Sequence, residues 1–308
     1  MKPLRFKSIS EFHRWSDMPP PEHPLISVLD YSLVAKSKKR QPVHALVPDY
    51  YTISVKRGLT GKMRYGQQEY DFDEGIMYFM APGQVLQVSA DANPDEEPTG
   101  WLLLIHPDFF WSTKLANSIK KYEFFDYSVS EALFLSEKEE ATINSIIYNI
   151  REEYHGNIDR FSQDIIVSHI ETLLSYAERF YQRQFITRKI SNHRVLDRME
   201  KILGDYFSNE DLQESGLPTV QSIAGSLNLS PKYLSSLLKV LTGLTAQQHI
   251  HEKLIEKAKE KLSTTDLTVS EIAYALGFEH PQSFSKLFKM KTRVSPLEFR
   301  ETYRDARR

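Results

Sequence analysis

Thr219-Val220-Gln221-Ser222-Ile223-Ala224-Gly225-Ser226-Leu227-Asn228-Leu229 is echoed 49 residues later by Thr268-Val269-Ser270-Glu271-Ile272-Ala273-Tyr274-Ala275-Leu276-Gly277-Phe278. Val220, Ile223, Ala224, Leu227 and Leu229 fall on Val269, Ile272, Ala273, Leu276 and Phe278. One residue is then inserted, and Leu234, Leu237, Leu238, Lys239 and Thr242 fall on Phe284, Leu287, Phe288, Lys289 and Thr292. Each copy has the sequence form of a short helix, a tight turn and a second helix. One match of this kind is common to many αα-hairpins. Two in register, joined by a helix, point to a tandem helix-turn-helix.

The residue types fit that geometry. Thr219 and Thr268 are placed to N-cap the first helices, and Thr268-x-x-Glu271 has the form of a capping box. Small Ala224 and Ala273 let paired helices approach closely. Ser230-Pro231 opens the second helix of copy one, where a missing N–H is harmless, and Gly243 stands where a left-handed C-cap is wanted. With Leu234, Leu237, Leu238 and Leu241 on one buried face, Lys232, Ser235, Ser236 and Lys239 turn outward. Copy two buries Phe284, Leu287 and Phe288 and turns out Gln282, Ser283, Lys286 and Lys289. These eight are the candidate DNA contacts. The plain alternative is a helical protein-interaction scaffold whose charges form a solvated face, because periodicity alone does not separate the two.

Residues 194 to 304 resemble the C-terminal DNA-binding domain of AraC/XylS-type bacterial transcription regulators. The specific portion is Ile272-Ala273-Tyr274-Ala275-Leu276-Gly277-Phe278, then Ser283-Phe284, Phe288-Lys289, Ser295-Pro296 and Phe299-Arg300. The resemblance implies double-stranded DNA as partner, with the two second helices in successive major-groove segments on one face. It also implies a regulator with a homodimeric state, with RNA polymerase as a further partner and a small-molecule effector left open. The departures are local. Arg293 stands where glycine is common and Ala246 where proline is. Ser236 and Leu238 replace a common arginine and phenylalanine, which weakens the expectation that copy one reads bases strongly.

Between the copies, residues 246–262 read as one helix, with Ile250, Leu254, Ala258 and Leu262 recurring every four residues. Seventeen residues span roughly 25 Å, against about 34 Å between groove segments one DNA turn apart. A rigid helix with short extensions is a plausible ruler. His249 and His251 form an H-x-H pair within it, but helical neighbours two apart face different ways, so no shared metal is expected.

The 308 residues fit two domains, and none is cysteine, which excludes disulfides, thiolate zinc sites and a cysteine nucleophile. The start of the chain lacks a signal-peptide apolar core, and the longest apolar runs are too short to span a bilayer. A cytoplasmic protein with no membrane partner is expected. The net charge of −2 is unevenly spread: residues 188–308 hold 19 Lys+Arg against 15 Asp+Glu, so the rest carries the acidic excess. Such asymmetry is a mild pointer to nucleic acid.

Residues 1 to about 130 look β-rich, with apolar runs at 25–29, 51–55, 76–80, 85–88 and 101–105 punctuated by Gly, Pro, Asp and Asn. The spacing fits a sandwich or small barrel, and the resemblance implies a cupin-like barrel. Gly75 with Pro82-Gly83 faintly matches one cupin motif. No histidine–carboxylate cluster accompanies it, and His44 and His106 stand alone, so no cofactor or metal is expected. Tyr50, Tyr51, Tyr65, Tyr70, Tyr78 and Trp101 are candidates for an apolar pocket, with ordinary core the favoured reading. Two amphipathic helices follow. Ser136-Glu137-Lys138-Glu139 caps one at about 137–155, and Ser162 is expected to cap another at about 162–182. Their faces cover the barrel or pair with a second subunit.

The expected class is therefore α+β: a cupin-like effector and dimerisation domain at 1–182, a linker at 183–193, and a DNA-binding domain at 194–308 with hairpins at about 219–242 and 268–292. The expected function is a non-enzymatic transcription regulator. A cupin-type enzyme with a helical appendage is the other alternative, and it lacks a visible metal constellation.

Overall fold

The computed structural model describes residues 3–36, 45–57, 75–87, 99–128, 131–156, 159–187, 189–208 and 216–305. His44, Tyr65 and Tyr70 lie outside the described residues. The chain divides into two compact units, residues 1–187 and 188–308.

The first unit runs β1 (Leu4–Phe6), α1 (Ile9–Trp15), β2 (Ile26–Asp30), α2 (Tyr31–Ala35), β3 (Ala45–Pro48), β4 (Tyr51–Arg57), β5 (Gly75–Met80), β6 (Leu86–Gln87), β7 (Thr99–Ile105), α3 (Leu115–Ser118), β8 (Leu133–Leu135), α4 (Glu137–His155) and α5 (Ser162–Thr187). All five expected runs contribute strands. The described strands form a three-stranded sheet, β1-β3-β6, and a five-stranded antiparallel sheet, β2-β7-β4-β5-β8. In the small sheet β1 and β3 run parallel.

The expected cupin-like barrel is not what forms: among the described residues both sheets are open. The physical reason lies at the margins of the larger sheet. On β2, the Val28 N–H donates to the Tyr154 hydroxyl of α4 at 2.9 Å. On β8, the Phe134 N–H donates to Gln184 Oε1 at 2.8 Å, while Gln184 Nε2 donates to the Ala132 carbonyl at 3.2 Å. Arg183 adds a 2.7 Å bond to the Phe134 carbonyl and pairs with Glu139. Helix side chains thus satisfy main-chain groups that barrel closure would have given to another strand.

Alternation along β4 and β7 divides the large sheet into two faces. Ile53, Val55, Leu103 and Ile105 are fully buried on the face that also carries Trp101, whose indole N–H donates to Asn144 of α4 at 2.8 Å. Arg57 and the buried Glu140 of α4 pair at 2.7 Å beside it. Thr52, Lys56, Leu102 and Leu104 occupy the opposite face, across a cleft from α1 and the small sheet. The apolar stripes of the two long helices are buried within this unit: Ile143, Ile146, Ile147, Ile150 and Tyr154 on α4, and Ile166, Ile170, Leu173, Ala177 and Phe180 on α5. Ser136 and Glu139 make the expected capping box. The cap of α5 differs from the expectation. Asp159 Oδ1 accepts from the Phe161 and Ser162 N–H groups, and Ser162 Oγ accepts from the Asp159 N–H. The carboxylate three residues upstream caps the helix, and Ser162 reciprocates.

The second unit comprises α6 (Lys189–Ser208), α7 (Val220–Leu227), α8 (Pro231–Thr242), α9 (Ala246–Thr264), α10 (Val269–Ala275), α11 (Pro281–Thr292) and α12 (Pro296–Asp305). One core joins them, with Met199, Leu203, Ile223, Leu234, Leu254, Ala258, Ile272, Phe284 and Phe288 at its centre. Each fully buried Leu, Ile or Phe stabilises by roughly 1.5–3 kcal/mol, so α7–α8 and α10–α11 stand on a common base. The middle helix α9 has 19 residues, about 28 Å at 1.5 Å per residue.

Candidate nucleic-acid interface

The two hairpins are built to one plan. Thr219 and Thr268 cap α7 and α10, each with a capping box closed by Ser222 or Glu271. Ala224 and Ala273 are fully buried where the helices meet. The turns then need a left-handed residue, supplied by Asn228 (φ 57°) in the first hairpin and Gly277 (φ 85°) in the second. Ser230 caps α8 by accepting from the Tyr233 N–H, with Pro231 in the first turn; Pro281 holds the same place in α11. The second helices end on left-handed C-caps, Gly243 at φ 80° and Arg293 at φ 70°. The departure at Arg293 therefore keeps the geometry with a side chain that finds it unfavourable by about 1–2 kcal/mol.

Packing of Leu234, Leu237 and Leu238 leaves Lys232 and Lys239 exposed on α8, but Ser235 and Ser236 only half-exposed. On α11, Phe284 and Phe288 are fully buried and Gln282, Ser283, Lys286 and Lys289 are all exposed. The second hairpin also presents Tyr274, 44% exposed, and Met290, 59% exposed, which sequence reasoning missed. Tyr274 had a signal: it aligns with Gly225, so the copies differ there. Met290 is masked by its apolar character, which reads as core.

The H-x-H pair on α9 is split as helical spacing requires. His249 Nε2 lies 2.8 Å from Thr242 Oγ1 at the end of α8. His251 Nε2 bonds Gln247 at 2.9 Å, and its pKa is held below the usual histidine range by burial and then by Lys291 of α11. Among the described residues no group of three or more His, Cys, Asp or Glu side chains is placed to hold a metal. His106 bonds the Asp108 N–H at a short 3-10 turn.

Residues 223–302 match the model of a helix-turn-helix domain family. Over 85 residues the chain is 35% identical to the uncharacterized HTH-type transcriptional regulator YijO of Escherichia coli, covering 28% of this chain and 30% of that one. It is 34% identical over 111 residues to the HTH-type transcriptional activator RhaS of an Enterobacter species, covering 36% and 37%. Among solved structures it is similar to the C-terminal domain of AraT, a response regulator from Geobacillus stearothermophilus, at 33% identity over 35% of this chain and 84% of that chain, with a TM-score of 0.31. The chain thus spans about a third of the length of these curated relatives. The named relatives are transcriptional regulators. No helix among the described residues is long and apolar enough to cross a membrane. The second unit carries a helix-turn-helix domain similar to those of AraC/XylS-type transcription regulators.

Proposed function

We propose that the protein is a sequence-specific DNA-binding transcription regulator, laying α8 and α11 into successive major-groove segments under the control of a small molecule held by the first unit. The observation that carries this reading is the duplicated hairpin, with two second helices on one core and each exposing a lysine-bearing polar face. The relatives named as transcriptional regulators support it. Lys232, Lys239 and Lys289 serve as phosphate contacts, each adding about 0.9 to the slope of log affinity against log salt. Fluorescence anisotropy of the full-length protein on selected DNA is expected to show affinity falling with salt, with a slope of about −2.7 from these three contacts. Affinity that hardly changes between low and physiological salt would overturn the proposal, and no DNA affinity at all would favour the interaction scaffold.

Base reading is assigned to the second hairpin, because glutamine suits adenine and lysine suits guanine in bidentate pairing, and Gln282 and Lys286 are both exposed on α11. The half-buried Ser235 and Ser236 of α8 are short and less discriminating. Lys286→Ala is expected to weaken binding by about 1–3 kcal/mol and relax preference at one base pair, whereas Lys239→Ala weakens binding to all sequences alike. Binding-site selection with each variant tests this; an unchanged consensus for Lys286→Ala would place the reading elsewhere.

A homodimer through residues 137–182 must use what the buried stripes leave outside, namely Tyr148 on α4 with Phe161 and Ile165 at the start of α5. Light scattering of the full-length protein at micromolar concentration is expected to give twice the chain mass, and a monomer mass would end the dimer assignment.

A further inference from the structure

We propose that residues 17–25, which join α1 to β2, form an acid-released strap: it lies shut on the first unit while His13 and His23 are neutral and comes free when both rings take up a proton. The strap reads Asp17-Met18-Pro19-Pro20-Pro21-Glu22-His23-Pro24-Leu25. Its four prolines have no N–H to donate, so its anchors must come largely from carbonyls and side chains. Three of those anchors are imidazoles. His13 of α1 donates from Nδ1 to the Pro19 carbonyl at 2.5 Å, and its Nε2 lies 3.0 Å from the Ser27 hydroxyl of β2. His23 Nδ1 accepts from the Leu25 N–H at 3.1 Å, and its ring stands edge-on to Phe109 with centroids 5.5 Å apart. His155, at the end of α4, pairs with Glu22. Main-chain bonds from the Met18 N–H to the His13 carbonyl and from the His106 N–H to the Leu25 carbonyl, both 2.8 Å, hold the two ends.

These bonds fix the protonation states. A carbonyl only accepts, so His13 Nδ1 carries the proton and Nε2 of the neutral ring accepts from Ser27. A second proton would set two hydrogens between Nε2 and the hydroxyl, which must then turn away. An N–H only donates, so His23 Nδ1 is bare, and a proton there abolishes the bond from Leu25. His13 is 4% exposed, and among the described residues no carboxylate bonds to either ring. The charged groups around His13 are turned elsewhere. On its own helix Glu11 accepts from the Lys7 N–H, and Arg14 is exposed, as is Asp17 of the strap. In the recess shared with β2 and α4, Glu22 is on His155, Asp30 accepts from the Ser32 N–H, and Arg151 donates to His155 Nε2 at 3.0 Å. The Tyr154 hydroxyl there is taken by the Val28 N–H. Beside His23, on the turn that carries Phe109, Asp108 lies 3.5 Å from His106. Burial holds both rings below the usual histidine range, in His13 against the upward pull of the Pro19 carbonyl.

Above the ordinary histidine value of about 6.5, the shut and released forms bind the same protons, and the shut form keeps its full advantage. As the pH falls below that value, released rings bind protons that shut rings refuse. The release equilibrium then rises by up to about tenfold per pH unit for each histidine, or about a hundredfold for the two together. His155 works the other way, because its proton strengthens the pair with Glu22. That pair faces solvent, with side chains 34% and 54% exposed, and such pairs contribute little. Two rings withdrawn from water outweigh it, and release exposes His13 and Ser27.

Hydrogen exchange of the full-length protein, read by mass spectrometry as protection factors of peptides covering residues 14–26, tests the strap between about pH 7.5 and about pH 5.5. Protection there is expected to fall by at least about tenfold across that range, while peptides from β7 and α4 keep theirs. In the double variant His13→Gln with His23→Asn, whose amides offer the same donors and acceptors without titrating, the pH dependence is expected to vanish. Unchanged strap protection in the wild type, a parallel loss in β7 and α4, or an equal pH dependence in the double variant would each overturn the proposal. Where the variant fails to fold, NMR titration of the wild-type imidazoles decides. His13 and His23 must take up protons over the range in which strap protection is lost, and rings that stay neutral throughout would sink the device.

Discussion

Gly277→Ala is expected to lower the unfolding free energy of the second unit by about 2–5 kcal/mol. The left-handed backbone at φ 85° is unfavourable for alanine by about 1–2 kcal/mol. The added Cβ would also meet main chain, at 2.7 Å from the Gly216 carbonyl oxygen and 2.8 Å from its carbon. That carbonyl cannot simply withdraw, since it accepts a 2.6 Å bond from the Tyr206 hydroxyl of α6. Overpacking of this kind adds about 1–3 kcal/mol. Urea unfolding followed by circular dichroism checks it: the transition of the second unit should move to lower urea while that of the first stays in place. Asn228→Ala removes a left-handed residue at the equivalent turn without creating that clash, and is expected to show the smaller loss. Equal shifts for the two variants would mean that the contact with Gly216 contributes nothing.

Gln184→Leu is expected to destabilise the first unit by about 2–6 kcal/mol, although the side chains are similar in volume. Gln184 is 0% exposed, and its amide serves both the Phe134 N–H and the Ala132 carbonyl. Leucine leaves both backbone groups buried and unpaired, at about 1–3 kcal/mol each. It also bares part of the β8 edge, a template for pairing with other chains. Thermal unfolding with parallel light scattering measures both effects. A melting temperature within a degree of wild type would show that the amide is dispensable.

The hairpins were legible because their determinants are local. Caps, small residues at the helix contact and left-handed turn positions lie within a dozen residues of one another, and duplication doubled the signal at Thr219 and Thr268. Closure of the β-rich half was not legible, because it depends on which group answers the outer N–H of a strand. Here the answers come from Tyr154 and Gln184, 126 and 50 residues from Val28 and Phe134 in sequence. Tyr154 reads as one more member of an apolar stripe, and Gln184 falls in the stretch read as linker, which the structure instead makes the end of α5. Strands β1, β3 and β8 escaped notice because three or four residues carry too little alternation to register. The cap of α5 was misplaced for a related reason: Asp159 is separated from the apolar stripe, and Ser162 adjoins it. At the candidate interface, lysines and Gln282 were exposed where periodicity put them, since an apolar stripe fixes the opposite face. Ser235 and Ser236 sit nearer its border, where side-chain length decides exposure.

The amide of Gln184 clasps Phe134 of β8 and Ala132 just before it, two main-chain groups two residues apart, and that places a geometric constraint on α5. A strand repeats its outward-facing groups about every 6.8 Å, whereas a helix repeats a side-chain position about every 5.4 Å per turn. The two periods do not coincide within a short slide. A shift of α5 by one turn would therefore present no second glutamine and align with no second pair of groups on a three-residue strand. The helix has a single seat on the sheet: it is either latched or released, with no graded positions between.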